Sequence, residues 1–342
     1  MPTRLPAEWE TQSAVLLAWP HERTNWAPYL DSTRNNFLEI IGATLKYQHV
    51  ILAVADQSQE KHVRSKISSA DLHIYETPCD DTWARDFGPI TVMKDENPAL
   101  LDFVFNGWGR KHAFEKDNLI TRNLHALGAF GTSRLEQVDL VLEGGSIESD
   151  GKGTILTTSQ CLLNPNRNPS LSKKQIEEKL ERVLGARRFL WLNHGYLEGD
   201  DTDAHVDTLA RFAPDDTILY VSCDDRRDSH YKELKLMEEE IRSFRTASGK
   251  PYRLVPLPWP AAKHDIDGNR LPATYANFLI INGAVLVPTY NDKNDVPAMD
   301  TIRTVFPDRE IIGITCLQLI QQHGSLHCVT MQIPKGVRSR VG

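Results

Sequence analysis

Neither a disulfide framework nor a zinc ribbon nor a membrane anchor can be read from this chain. Five cysteines, Cys79, Cys161, Cys223, Cys316 and Cys328, occur in 342 residues. The number is odd and no two form a C-x-x-C pair, which argues against both scaffolds. Unpaired thiols fit a reducing compartment, so a cytoplasmic location is expected. Long apolar runs are missing too. The first run, from Ala14 to Trp19, stops at Pro20 and is too short for a signal segment. No stretch approaches the roughly 18–20 apolar residues of a membrane span. Basic clusters are also absent. The net charge is −7, from 39 basic and 46 acidic residues, so neither nucleic acid nor a membrane is an expected partner. No Pro/Gly/Ser-rich linker divides the chain. A single domain over residues 1–342 is expected, with 40% apolar residues to fill its core. The oligomeric state is left open, and a homo-oligomer is compatible with the sequence.

What the chain does have is alternation. Short runs rich in Val, Ile, Leu and Thr lie at 13–19, 50–55, 89–93, 138–142, 153–158, 217–223, 278–282, 284–288, 311–315 and 328–333, and read as strands. Between them lie helical patterns. Ser172 and Gln175 form a capping box, Ile176, Leu180, Val183 and Leu184 share one face, and Gly185 ends the run. Phe37, Ile40, Ile41 and Leu45 recur at helical spacing, as do Tyr231, Leu234, Met237, Ile241 and Phe244, and Met299, Ile302 and Val305. Similar strands begin at Val15, Ile155, Ile218 and Val285. The last three are spaced by about 65 residues, and the longer first gap leaves room for one more unit, where Ile90 falls. About five strand–helix units suggest a propeller-like ring; an ordinary open α/β sheet is the alternative.

Four stretches concentrate reactive side chains. Asp80 to Pro89 offers an aromatic plane, Trp83, beside a carboxylate, Asp86, a pair suited to a flat cation. The bland reading pairs Asp86 with Arg85. Glu143-Gly144-Gly145-Ser146 follows a strand-like run, where Glu143 serves a site or simply a turn. Gly199 to Asp207 is the densest: if extended, Asp201, Asp203, His205 and Asp207 share one face. Acids so crowded need a cation nearby, metal or organic, or a strong internal network; the bland reading is a solvated acidic loop. The fourth stretch, His323 to Thr330, carries His327 and Cys328. Neighbours on a strand point to opposite faces, so His205, flanked by carboxylates, is the better partner for Cys328. His327 becomes a structural neighbour. Thiol, histidine and carboxylates fit attack on a guanidinium: a covalent amidino-thioether forms, ammonia leaves, and water releases a urea-type product.

The ordered elements W-A-R-D-F-G-P (83–89), N-G-W-G (106–109), E-G-G-S (143–146), D-D-T-D-A-H-V-D (200–207) and H-C (327–328), with P-A-E-W-E (6–10) before them, resemble the agmatine deiminases of the guanidine-modifying, or pentein, superfamily. The resemblance runs nearly the whole chain. It implies a fivefold pseudosymmetric α/β-propeller, Cys328 as nucleophile, His205 as acid/base and Glu143 orienting it. It further implies Asp86 and Asp207 clamping the guanidinium, with Trp83 and Asn291 at the pocket. A small cationic guanidino substrate is implied, with no metal and no cofactor. Relatives often carry a glycine run where this chain has His323-Gly324-Ser325, and Gly where Ala204 stands. The substrate therefore stays open among agmatine, free arginine and peptidyl arginine. The rival classes are a metal-dependent hydrolase built on Asp201, Asp203, His205 and Asp207, and a non-catalytic polyamine binder.

Overall fold

The computed structural model describes residues 3–337. Among the described residues, five sheets repeat one pattern: a first strand antiparallel to a central strand, which pairs in parallel with a third. The second sheet comprises Ile90–Lys94, Asn97–Val104 and Arg134–Val141. The third comprises Ile147–Ser149, Thr154–Thr158 and Arg188–Leu192. The fourth comprises Ala210–Ala213, Thr217–Val221 and Arg253–Leu257. The fifth comprises Leu279–Ile281, Ala284–Thr289 and Glu310–Thr315. The first is assembled from both ends of the chain. Met331–Pro334 pairs with the central strand Gln12–Ala18, followed by His49–Val54 and Leu72–Glu76.

A parallel pair cannot be joined by a tight turn, so each unit needs a crossover. Helices Leu30–Thr44, Ile120–Ala126, Lys173–Leu184, Tyr231–Ser243 and Asp295–Val305 lie in these crossovers. The capping box at Ser172 forms, and Gly185 takes the left-handed conformation (φ 71°) that ends the helix. Central strands Thr154–Thr158 and Thr217–Val221 are buried along their whole length, which explains their unbroken apolar or Thr-rich composition.

Three sequence expectations are corrected here. Ile90 does not begin a central strand; it begins the antiparallel first strand, opposite Leu101, and the central member is Asn97–Val104. Composition alone cannot separate the two, because partner choice sets the role. Cys328 precedes its strand rather than opening it. His327 to Thr330 form a turn, with the Thr330 amide donating to His327 O at 3.1 Å, and the strand begins at Met331. The 201–207 segment is not extended. Asp200 accepts from the amides of Thr202 (3.2 Å) and Ala204 (2.8 Å), and Asp203 and Ala204 are left-handed (φ 67° and 64°). No helix is long and apolar enough to cross a membrane among the described residues.

Candidate active site

The turns that lead into the five first strands converge. Asp86 precedes Ile90–Lys94, Gly145 precedes Ile147–Ser149, Asp207 precedes Ala210–Ala213, Asn277 precedes Leu279–Ile281 and Cys328 precedes Met331–Pro334. Cys328 lies in a cleft of about 410 Å³ that Asp86, Trp83 and Trp108 also line. Its Sγ lies 3.4 Å from Asn277 Oδ1, and the same oxygen accepts from the backbone of His327 (2.9 Å) and Cys328 (3.3 Å). Burial and the charges of Asp207 and Asp86 hold the thiol well above its usual range. A cation bound between those carboxylates would remove that opposition.

Asp86 accepts from Trp108 Nε1 (2.9 Å) and from the Gly145 amide (3.0 Å). It is not paired with Arg85, whose guanidinium reaches Gln332, the His327 carbonyl and Glu8 instead. Burial pushes the Asp86 carboxyl up to about 6, against the nearby His205 and with the repulsion of Asp207 and Glu143. Trp83 stands edge-on to Trp108, with ring centroids 6.4 Å apart. A side chain at Gly324 would come within 2.2 Å of Trp83, so only glycine lets that loop pass over the indole.

His205 Nδ1 lies 3.6 Å from Asp86 Oδ1. Burial opposes its protonation, yet Asp86, Cys161 and Glu143 outweigh burial and hold the imidazole well above its ordinary value. Glu143 accepts from Arg167 Nε at 3.0 Å through Oε1. Three buried atoms around this centre make no hydrogen bond: Glu143 Oε2, His205 Nε2 and Asp207 Oδ1. Gly145 explains how His205, Asp86 and Asp207 fit together. A Cβ there would sit 2.6 Å from His205 Nδ1, 2.9 Å from Asp86 Oδ1 and 3.2 Å from Asp207 Oδ2. The absent side chain leaves space where the three groups meet.

Beneath lies a second buried cluster. His327 Nδ1 pairs with Asp207 Oδ2 (2.7 Å) and Nε2 with Glu8 Oε2 (2.7 Å). Arg211 donates to Glu8 (2.8 Å), to Glu148 and to Phe278 O (2.6 Å). Glu148 also accepts from the Phe212 amide at 3.1 Å, and Glu8 from the Ile280 amide at 2.7 Å. Burial notwithstanding, His327 holds both Asp207 and Glu8 below the usual carboxylate range, with help from Arg211. His327 is thus the bridge between the cleft and this cluster rather than a bystander.

Of the sequence-predicted residues, Cys328, His205, Glu143, Asp86, Asp207 and Trp83 come together. Asn291 does not. It is exposed, left-handed (φ 51°), and sits in the turn after Ala284–Thr289; Asn277 supplies the amide beside the thiol. The acid cluster also divides. Asp201 pairs with His112 (2.9 Å) and Asp203 with Lys111 (2.9 Å), leaving His205 and Asp207 at the centre. Four residues were missed: Trp108, Arg167, Arg211 and Asn277. An arginine inside the apolar run Leu209-Ala210-Arg211-Phe212 was the clearest available signal, since a buried charge demands partners.

The model of the Porphyromonas-type peptidyl-arginine deiminase family matches residues 4–334. A protein of Lactococcus lactis subsp. lactis (strain IL1403), provisionally named an agmatine deiminase, is 32% identical over 97% of this chain and 95% of its own. Among solved structures, an agmatine deiminase of C. jejuni, a cysteine-to-serine variant with substrate bound, is 38% identical. Its TM-score is 0.92, covering 98% of this chain and 97% of that one. A Porphyromonas gingivalis protein provisionally named an arginine deiminase is 50% identical, with a TM-score of 0.93, over 98% of this chain and 100% of its own. At 12% identity, an amidinotransferase of Microseira wollei shares the fold alone (TM-score 0.51).

Proposed function

The chain belongs to the Porphyromonas-type peptidyl-arginine deiminase family, alongside agmatine deiminases, and from that premise we propose that it hydrolyses agmatine to N-carbamoylputrescine and ammonia. The pentein fold carries the site, and the five sheets close into a fivefold α/β-propeller, one domain over the whole chain. Two features support that ring: five strand-entering turns contact one another in succession around Asp86, Asp207 and Cys328, and segments from both ends of the chain share a sheet. The enzyme works in the cytoplasm, where its free thiols persist.

Asp86 and Asp207 grip the guanidinium N–H groups, and Asp207 Oδ1 is free to accept one. The bound cation favours the Cys328 thiolate, the thiol proton passing to solvent as substrate binds, and the thiolate attacks the central carbon. His205, held protonated by its acidic surroundings, gives its proton to the departing ammonia. An amidino-thioether remains on Cys328. Neutral His205 then takes a proton from water as the water adds to the same carbon, and collapse expels the thiolate with the urea-type product. Glu143, itself fixed by Arg167, acts on His205 through its charge, which helps hold the imidazole protonated.

The observation that carries agmatine over arginine is the lining of the cleft. Asp81 and Asp201 stand on it with His112 and His323, and among the described residues no lysine or arginine does. A terminal amine suits those acids; an α-carboxylate would meet their repulsion, with only histidines, His112 already paired with Asp201, as cationic partners. Ammonia release compared across agmatine, free arginine and a blocked arginyl peptide tests the reading. Agmatine should be turned over best, and turnover of the peptide with none of agmatine would overturn it.

A further inference from the structure

Cys161 takes no part in the reaction above, and its sequence context suggests only a small buried apolar residue. It lies in the short helix Ser159–Leu162, whose N-cap Thr158 accepts from the Cys161 amide at 3.3 Å. The same hydroxyl donates to Ala204 O at 2.7 Å, tying this helix to the loop that presents His205. As a result, Cys161 Sγ, a His205 ring nitrogen and a Glu143 carboxylate oxygen all lie within 4.8 Å of one another. Glu143 Oε2 and His205 Nε2 are both buried and unpaired. Native interiors pair nearly all such atoms, so two orphans beside one thiol call for a ligand.

We propose that Glu143, Cys161 and His205 form a binding site for a thiophilic divalent cation of the zinc class, and that filling it inhibits the enzyme. Thiolate, imidazole and carboxylate are the donors zinc accepts, and three of them leave a fourth position for water. Arg167 occupies Glu143 Oε1 only, so Oε2 is free to ligate. On binding, S–H and imidazolium N–H bonds are exchanged for metal bonds, and the protons pass to solvent. His205, now a neutral metal-bound imidazole, then has no acidic imidazolium proton to give departing ammonia. Substrate and metal also oppose each other, because two cations would share one acidic centre.

Cobalt serves as the spectroscopic probe, and Cys328→Ser as the background, since it removes the rival thiol. Cys328→Ser should bind one Co²⁺ per chain and develop thiolate-to-cobalt absorption in the near ultraviolet. Introducing Cys161→Ser should abolish that band. In the otherwise unchanged enzyme, Cys161→Ser should weaken Zn²⁺ inhibition at least about tenfold, measured against its own metal-free rate. A band lost in Cys328→Ser but kept in Cys161→Ser would put the metal on the nucleophile and overturn the proposal. So would failure of Cys328→Ser to bind micromolar Co²⁺. Should Cys161→Ser misfold, anomalous scattering at the zinc edge from Cys328→Ser crystals locates the ion directly. Zinc placed away from these three side chains refutes the site.

Discussion

Two clusters of buried charge meet at Asp207. Above it, Asp86 and Cys328 line a cleft with Glu143 and His205 buried beside them, and three of the buried polar atoms there have no partner. Below it, Glu8, Glu148, Arg211 and His327 bond one another and the backbone almost completely. Both are assembled from residues far apart in sequence, and both are largely buried. The difference lies in who completes them. The lower cluster is finished by the protein itself, so its charges hold the fold. The upper one is left unfinished, so its free lone pairs await a cationic ligand.

The sharpest way to break that contrast is at the thiol. Cys328→Ala should lower kcat by at least about 10³-fold, the usual consequence of deleting a nucleophile, with a midpoint of thermal unfolding within a few degrees of the parent. An amidino mass trapped by acid quench on another cysteine would place the chemistry elsewhere. Next comes the lower cluster. Arg211→Met leaves Glu148 without its cation and Glu8 with only His327 and Arg85, and should cost about 3–5 kcal/mol in urea denaturation. A neutral outcome would mean that these charges do not hold the fold. Between the two clusters, Gly145→Ala places a methyl group against His205, Asp86 and Asp207. It should cut kcat/KM about 10²-fold, through displacement of the catalytic groups, while circular dichroism stays unchanged.

The smallest effect is in proton uptake, and its sign differs between the clusters. Asp86 is raised to about 6, so in the free enzyme it costs stability as pH rises from about 4 to about 6, where the folded state holds the extra proton. Glu8 and Asp207 are lowered, so their stabilisation is present above about pH 4 and fades only as pH falls through their depressed values. Agmatine binding to Cys328→Ser near pH 6 should therefore release about half a proton from Asp86, and KM should rise as pH falls below about 6. Calorimetry in two buffers of different ionisation heat reads the released protons; equal heats would sink this assignment.

Much of the upper cluster was legible in the sequence because its residues advertise themselves locally. His205 and Asp207 stand in a crowd of acids, Asp86 follows an indole, and Cys328 follows a histidine. The repeat was legible too, through Val15, Ile155, Ile218 and Val285, all of which lie on central strands. The lower cluster was hidden. The apolar run around Arg211 hints at a buried charge, but nothing local names its partner Glu8, 203 residues away; their meaning comes from pairing across distant parts of the chain. Asn277 was hidden within an apolar run, while Asn291 drew attention in a polar turn that its own left-handed backbone explains. The 201–207 segment misled through its alternation. Asp200, read as one more acid, curls the chain by accepting two amides.

The sheet shared by the two chain ends has a consequence for synthesis. A ribosome makes Gln12–Ala18 early, yet its antiparallel partner Met331–Pro334 emerges last. The histidine and all the site acids are translated before the thiol. A nascent or prematurely terminated chain can thus present most of the cleft without its nucleophile, and stays chemically silent. The long-range pairing that seats Cys328 is also the contact of highest loop-closure cost, so activity should be the last signal to return on refolding. Joining the ends and reopening the chain in a surface turn elsewhere would move that final event to another sheet.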